Sequence, residues 1–104
     1  MAAGDLPDWT WGTAVPAGAY AVTFGQVAAT ATQAVVGGSG TGRAALTVYN
    51  PTASANPVYI GDSTVTSGNG YELEAGYGLS VTAQKQIYVV CASGQSATVS
   101  FFDN

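Results

Sequence analysis

The sequence contains little charge and no histidine. Only 8% of its 104 residues are charged, whereas about a quarter of the residues in an ordinary soluble domain are. Without histidine the chain cannot form a Ser-His-Asp or Cys-His catalytic arrangement, and most zinc sites are excluded as well. A surface with so few charges is either kept in solution by Thr, Ser, Asn and Gln, or covered by a partner or by copies of the same chain.

Basic residues are especially scarce. Arg43 and Lys85 are the only cationic side chains, the net charge is −4 and the pI is about 4.1. Nucleic acids are bound through a basic surface, and anionic membranes attract clusters of Lys and Arg. We therefore expect neither a nucleic-acid partner nor a membrane partner.

Cysteine and long apolar runs are also lacking. Cys91 is the only cysteine, so a disulfide within these residues is excluded, and its apolar surroundings in the run 87–92 predict a buried thiol. No apolar run approaches the roughly 20 residues of a membrane-spanning helix. Residues 1–18 lack the basic start and apolar core of a secretory signal. These absences predict synthesis in a reducing cytoplasm.

The sequence is rich in short runs of Val, Ile, Leu, Tyr and Phe that alternate with Thr and Ser. Turn residues interrupt these runs about every eight to twelve residues, which is typical of antiparallel β domains. We predict an all-β domain over residues 19–104, an antiparallel β-sandwich of about eight strands with jelly-roll-like topology. The alanines of Val27–Val36 are also compatible with a helix in this segment, although the Thr and Val residues of the segment favour a strand. The predicted strands are 19–24, 27–36, 44–49, a strand beginning at Pro57, 71–73, 79–81, 87–92 and 97–101.

The alternation within these strands also predicts the core, because successive side chains of a strand point to opposite faces. The run 87–92 is nearly all apolar, as in a central strand that is covered on both faces. The predicted core residues are Leu46, Val48, Val58, Ile60, Leu73, Leu79, Val81, Val89, Val99 and Phe101.

Residues 1–18 show neither the helix nor the strand period and are predicted to form an extended N-terminal arm. This arm contains both tryptophans of the chain, Trp9 and Trp11. One interpretation is that the arm folds back and the two tryptophans close an open end of the sandwich. The other is that the arm docks on a neighbouring subunit, since tryptophan is enriched among the residues that anchor interfaces. In that case the candidate contact residues are Leu6, Pro7, Trp9 and Trp11.

Two glycine-containing motifs imitate catalytic or binding sites. Gly61-Asp62-Ser63 is similar to an esterase nucleophile block, but the histidine base is missing, and an Asx-type turn is expected instead. The run 37–44 has the glycines of a phosphate-binding loop, but Arg43-Ala44 stands where Lys-Ser/Thr is needed. We predict that it is a flexible hairpin loop with no capacity to pack, and that residues 93–96 form a second hairpin loop.

Two glutamates are the last candidates for catalytic or metal-binding residues. Glu72 and Glu74 are two residues apart and share one strand face, an arrangement that glycosidic acid–base catalysis can use. Exposed glutamates of this kind are usually solvated, and they also protect a sheet edge from wrong pairing. Together with Asp62 they supply too few oxygen ligands for calcium. We therefore predict no catalytic residue, no cofactor and no metal.

The second half of the chain carries a recognisable series of motifs. Asn50-Pro51 is followed by Pro-Val-Tyr-Ile-Gly at 57–61, Val-Thr-Ser-x-x-Gly-Tyr-x-Leu at 65–73, Ala-Gly at 75–76, Leu-Ser-Val at 79–81, Ile-Tyr-Val-Val at 87–90 and Ser-Gly-x-Ser-Ala-Thr-Val at 93–99. This segment, about half of the chain, resembles small virion proteins of tailed bacteriophages. The resemblance implies a capsid-associated or head-decoration subunit with a β-sandwich fold, and it offers no catalytic residues.

The function expected from this resemblance is structural. The protein would be made in the host cytoplasm, bind the major capsid protein in the assembled virion, stabilise the shell and form a homo-oligomer. Similar β modules also occur in phage tails and fibres. The alternative is therefore a tail or fibre module that binds another tail protein or a host glycan, with exposed aromatics such as Tyr71 and Tyr77 as stacking platforms.

Overall fold

The computed structural model describes residues 22–104, and 46% of these lie in strands and 4% in a helix. This confirms the predicted all-β fold with about eight strands. A single 3₁₀ turn, Thr52–Ser54, is the helical part of this region. The strands are β1 (Thr23–Ala29), β2 (Ala34–Val36), β3 (Leu46–Asn50), β4 (Val58–Gly61), β5 (Tyr71–Leu73), β6 (Tyr77–Val81), β7 (Ile87–Val90) and β8 (Ala97–Asp103).

The strands form two antiparallel sheets of four strands each. Sheet one has the order β1-β8-β3-β6, and sheet two has the order β2-β7-β4-β5. Every connection crosses from one sheet to the other, except that β4 and β5 are neighbours in sheet two. This is the strand order of a jelly roll. Strands β1 and β6 are the edges of sheet one, and β2 and β5 are the edges of sheet two.

The core between the sheets contains the predicted residues. Seven of them are buried, and the other three, Leu79, Val81 and Phe101, are partly buried and pack against the cluster. Leu79 and Val81 lie on the edge strand β6, where one side remains open to solvent. The strand predicted over 87–92 is β7, and it is central in sheet two, as expected. The seven buried predictions are Leu46, Val48, Val58, Ile60, Leu73, Val89 and Val99.

Two predicted strand boundaries are wrong at the start of the domain. Strand β1 continues through Gly25-Gln26, where a break was predicted, because both residues pair with β8, Gly25 with Phe101 and Gln26 with Ser100. The predicted strand 27–36 is divided between the two sheets: Ala29 ends β1 and Ala34 begins β2. The chain turns the corner through Thr30, whose hydroxyl accepts a hydrogen bond from the Thr32 amide at 3.2 Å. Residues 19–21 of the first predicted strand lie outside the described residues.

Both loops predicted as hairpins in fact connect the two sheets. Residues 93–96 join β7 to β8, and the glycine-rich run 37–43 joins β2 to β3. The glycine-rich loop also packs, contrary to prediction, since both Gly40 and Arg43 are buried. Gly40 has a φ of +95°, and a Cβ there would collide with the backbone of Lys85. The glycines therefore allow close packing of backbone against backbone.

A buried ion pair lies at this end of the sandwich. Arg43 Nε donates to Asp103 Oδ1 at 2.7 Å, and Arg43 Nη2 donates to Asp103 Oδ2 at 3.0 Å, with both side chains fully buried. The remaining guanidinium donors bond the carbonyl oxygens of Ala83 at 2.9 Å, Lys85 at 2.7 Å and Gly38 at 3.3 Å. The Gly38 amide donates to Asp103 Oδ2 at 2.9 Å. We call this pair with its loop partners the clasp. It ties the β2–β3 loop and the β6–β7 loop to the end of β8.

The clasp predicts a large loss of stability when either charge is removed. Arg43→Met or Asp103→Asn should each lower the free energy of unfolding by about 3–5 kcal/mol, because each leaves a buried partner uncompensated. The double variant Arg43→Met/Asp103→Leu should lose clearly less than the sum of the single losses. Urea unfolding measures all three. Lys85→Met is the control, because Lys85 is exposed, and it should change stability by less than about 0.5 kcal/mol. Additive losses in the cycle would contradict a coupled pair.

A glycine comparison tests the packing of the β2–β3 loop. Gly40 and Gly94 both have positive φ, +95° and +80°, but a Cβ at Gly94 meets no atom within 4 Å. Gly94→Ala should therefore cost only the conformational strain, about 1–2 kcal/mol. Gly40→Ala adds a collision with the Lys85 backbone and should cost more than twice as much in thermal or urea unfolding. Equal losses would mean that the loop moves aside freely.

Candidate functional site

The outer surface of sheet one carries no charged side chain. The register of its strands aligns the outward-facing residues in rows across the sheet, and nine of the ten are exposed. We call this surface the uncharged face. Its residues are Phe24, Gln26 and Ala28 of β1, Thr98, Ser100 and Phe102 of β8, Thr47 and Tyr49 of β3, and Gly78 and Ser80 of β6.

Three aromatic side chains form one end of the uncharged face. Phe24 and Phe102 are stacked, with ring centroids 6.3 Å apart and an interplanar angle of 19°. They are 72% and 48% exposed, and the neighbouring Tyr49 is 42% exposed. A shallow depression of about 180 Å³ lies between Tyr49 and Phe102. Solvent-exposed aromatic rings grouped in this way are the typical anchors of a protein interface.

The sheet itself holds the aromatic end in place. Phe102 lies on β8, between Phe24 of β1 and Thr47 of β3, because β8 pairs with both strands. The Thr47 hydroxyl bonds the Ser80 hydroxyl at 3.0 Å, which joins β3 to β6 on this surface. The aromatic residues therefore belong to a regular four-stranded sheet whose side chains need little reordering to bind a partner.

The other end of the uncharged face is concave. A hollow of about 540 Å³ is formed by small and uncharged side chains of β1, β8 and the 3₁₀ turn, among them Ala28, Ala53 and Thr98. The Ser54 hydroxyl holds the turn against β8, since it donates to the Thr98 carbonyl oxygen at 3.1 Å. The face thus combines projecting aromatic rings with a recess, and neither requires a charged group to lose its water on binding.

The exposed charges of residues 22–104 lie elsewhere. They are Asp62 in the β4–β5 loop, Glu72 and Glu74 at β5, and Lys85 in the β6–β7 loop. Asp62 Oδ1 accepts hydrogen bonds from the Thr64 amide at 2.8 Å and the Thr64 hydroxyl at 2.6 Å, and these bonds lower the pKa of Asp62 below its ordinary value. This geometry confirms the Asx-type turn predicted for Gly61-Asp62-Ser63.

A second candidate site lies where the edges of the two sheets meet. Tyr71 of β5 and Tyr77 of β6 are 57% and 64% exposed and line an open cleft of about 340 Å³. Glu72 and Glu74 line the same cleft. We call it the tyrosine cleft. The two tyrosines named from the sequence as candidate stacking platforms are therefore brought together, although they lie on edge strands and not in loops.

The tyrosine cleft is built on a short, well-tied turn. The Tyr77 amide donates to the Glu74 carbonyl oxygen at 3.1 Å, and Gly76 has the φ of +92° that the third position of a type II turn requires. The buried side chain of Asn50 donates from Nδ2 to the carbonyl oxygens of Asn56 and Leu73, each at 2.9 Å. The Gly76 amide in turn donates to the Asn50 carbonyl oxygen. Asn50 thus fixes the end of β5 and the turn that carries Glu74.

Sequence reasoning found only part of these surfaces. The candidate contact residues Leu6, Pro7, Trp9 and Trp11 lie outside the described residues, so both interpretations of the arm stay predictions. Phe24, Tyr49 and Phe102 were not singled out. One signal was present, because two adjacent phenylalanines on a strand, Phe101 and Phe102, must point to opposite faces.

The described region offers little for metal or membrane chemistry. No group of three or more Cys, Asp or Glu side chains within residues 22–104 is arranged to hold a metal ion. The same residues include no helix with the length and apolarity to cross a bilayer. Burial raises the pKa of the Cys91 thiol above its ordinary value, which disfavours the reactive thiolate.

Comparison with protein-family models, curated proteins and solved structures finds no match to the chain.

The neighbouring residues Phe101 and Phe102 provide a direct test of which surface is exposed. Phe102→Ala should lower the free energy of unfolding by about 0.5–1.5 kcal/mol, mainly through the lost stack with Phe24. Phe101→Ala should cost about 3 kcal/mol, because Phe101 packs against the core. Chemical denaturation measures both. The assignment of the two faces is wrong if Phe102→Ala is the more destabilising substitution.

Proposed function

We propose that this protein is a structural component of a tailed-phage virion, which binds the assembled capsid and reinforces it. The observation that carries the proposal is the uncharged face, with Phe24, Tyr49 and Phe102 exposed on a regular sheet. The resemblance of residues 50–102 to small phage virion proteins supports the proposal from the sequence. The jelly roll recurs among viral capsid proteins, and this adds a fold-level analogy only.

Shell binding through the uncharged face is favourable on physical grounds. Burial of apolar surface contributes about 25 cal/mol per Å², and no charged side chain of this face has to be desolvated. By contrast, binding through the β5 edge would bury Glu72 and Glu74. The expected partner is an uncharged surface of the major capsid protein with apolar recesses for the two phenylalanine rings.

Reinforcement follows from the linkage between binding and assembly. A subunit that contacts several shell proteins at once binds the assembled lattice more tightly than the loose subunits, and it therefore stabilises the lattice. The low charge of the described surface also permits copies of the chain to lie side by side with little repulsion. We accordingly propose a homo-oligomer located in the virion.

The alternative function is a tail or fibre module. The observation that favours it is the tyrosine cleft, because exposed tyrosines beside polar side chains are suited to a glycan. In that case the uncharged face would dock on another tail protein. The two functions differ in the protein to which the uncharged face binds. Identification of that protein in the virion therefore distinguishes them.

The capsid proposal predicts that Phe24→Ser/Phe102→Ser abolishes co-sedimentation with purified shells. Loss of one aromatic anchor costs about 2 kcal/mol or more, so the double variant should bind several hundredfold more weakly, at about 1.4 kcal/mol per tenfold. The matched control is Tyr71→Ser/Tyr77→Ser, which removes two exposed aromatic rings from the tyrosine cleft and should bind normally. A chain without residues 1–18, tested for folding and for the same binding, shows what the arm contributes. Normal binding by the phenylalanine variant would refute docking through this face.

A further inference from the structure

We propose that the tyrosine cleft is a binding site for neutral saccharides, of the size of one or two sugar rings. The site consists of Tyr71 and Tyr77 as stacking surfaces and Glu72 and Glu74 as hydrogen-bond acceptors. This inference does not rest on shell docking. It deepens the alternative function by naming the ligand class of the tyrosine cleft, which borders the uncharged face at Gly78.

The two tyrosines carry the stacking part of the argument. Both rings are more than half exposed although they lie at core-facing positions of their strands: Tyr71 pairs with buried Ile60, and Tyr77 pairs with buried Asn50. They remain outside the core because β5 and β6 are the edges of the two sheets. The apolar C–H face of a pyranose ring stacks on such an aromatic surface, while its hydroxyl groups stay available for hydrogen bonds.

The glutamates supply those hydrogen bonds and set the charge preference. Glu72 and Glu74 are exposed at the cleft, and carboxylates accept strong hydrogen bonds from hydroxyl groups. Lys85, the one exposed basic residue within 22–104, lies in the β6–β7 loop and does not line the cleft. The described lining of the cleft contains two carboxylates and no cationic side chain, so an acidic sugar would be repelled. Neutral saccharides fit this arrangement.

The cleft is also rigid and of suitable size. Its floor includes buried Leu73, and its turn is held by the hydrogen bonds of Asn50 and Gly76. A site that is already formed loses little conformational entropy on binding. The volume of about 340 Å³ is near the lower end of the range for small-molecule sites, which matches one or two sugar rings and not a long oligosaccharide.

The test is an NMR titration of the full-length protein labelled with ¹⁵N. The probes are glucose, galactose, mannose, N-acetylglucosamine, lactose and cellobiose, with N-acetylneuraminic acid as the acidic sugar. At least one neutral probe should shift the amide signals of residues 71–78 at about 10 mM or below, a concentration that fills most of a site with a Kd of about 1 mM. N-acetylneuraminic acid should shift them at least tenfold less at the same concentration.

Variants separate the cleft from the rest of the surface. Tyr71→Ala and Tyr77→Ala should each weaken binding of the neutral probe at least tenfold, whereas Phe24→Ala, which removes an exposed ring from the uncharged face, should not change it. Glu72→Gln/Glu74→Gln should reduce the discrimination against N-acetylneuraminic acid. The proposal is overturned if no neutral probe shifts residues 71–78, if the acidic sugar binds as well as the neutral ones, or if both tyrosine variants bind normally. None of these results affects co-sedimentation with shells, so failure of this site and failure of shell docking are distinguishable.

Discussion

The bidentate ion pair between Arg43 and Asp103 is the constraint on which one end of this sandwich depends. A buried guanidinium has to satisfy all of its donors, and here the donors reach two carboxylate oxygens and carbonyl groups from both the β2–β3 and the β6–β7 loop. The β2–β3 and β6–β7 loops are consequently bound to β8, the strand that lies between β1 and β3 in sheet one. The glycines of the first loop serve the same contact, because a Cβ at Gly37 would lie 2.6 Å from Asp103 Oδ2.

The pair also explains part of the unusual surface. Arg43 is one of only two basic residues in the chain, and its guanidinium is used inside the protein. Asp103 is buried with it, so the described surface keeps three carboxylates and Lys85 as its charges. These four lie on loops and on the β5 edge, which leaves the outer surface of sheet one without any charge.

The fold was predictable from the sequence because the alternation of apolar and polar residues within each strand is a local signal. Alternation with a period of two places Leu46, Val48 and Val99 inward regardless of which strands become neighbours. The clasp was not predictable in this way, since Arg43 and Asp103 are 60 residues apart and a glycine-rich loop has the same composition whether it packs or not. The same limit applies to Asn50, which was predicted only to end a strand. Its side-chain contact with Leu73 depends on how β5 returns to the turn beside it.

The candidate surfaces, too, could be predicted from the sequence only in part. Tyr71 and Tyr77 were recognised as possible platforms from residue type alone, but their meeting at one cleft depends on the jelly-roll order, which makes β5 and β6 the edges of different sheets. The same order places the cleft at the border of the uncharged face, because Gly78 of that face pairs with Tyr49 and also lines the cleft. Phe102 is adjacent to Asp103 at the clasp, whereas the turn at Gly76 is bonded to Asn50 at the far end of β3. A subunit held to a large assembly through Phe24 of β1 and Phe102 of β8 would leave Tyr71 and Tyr77 on strands β5 and β6, so the structural contact and the ligand site use different side chains of one small domain.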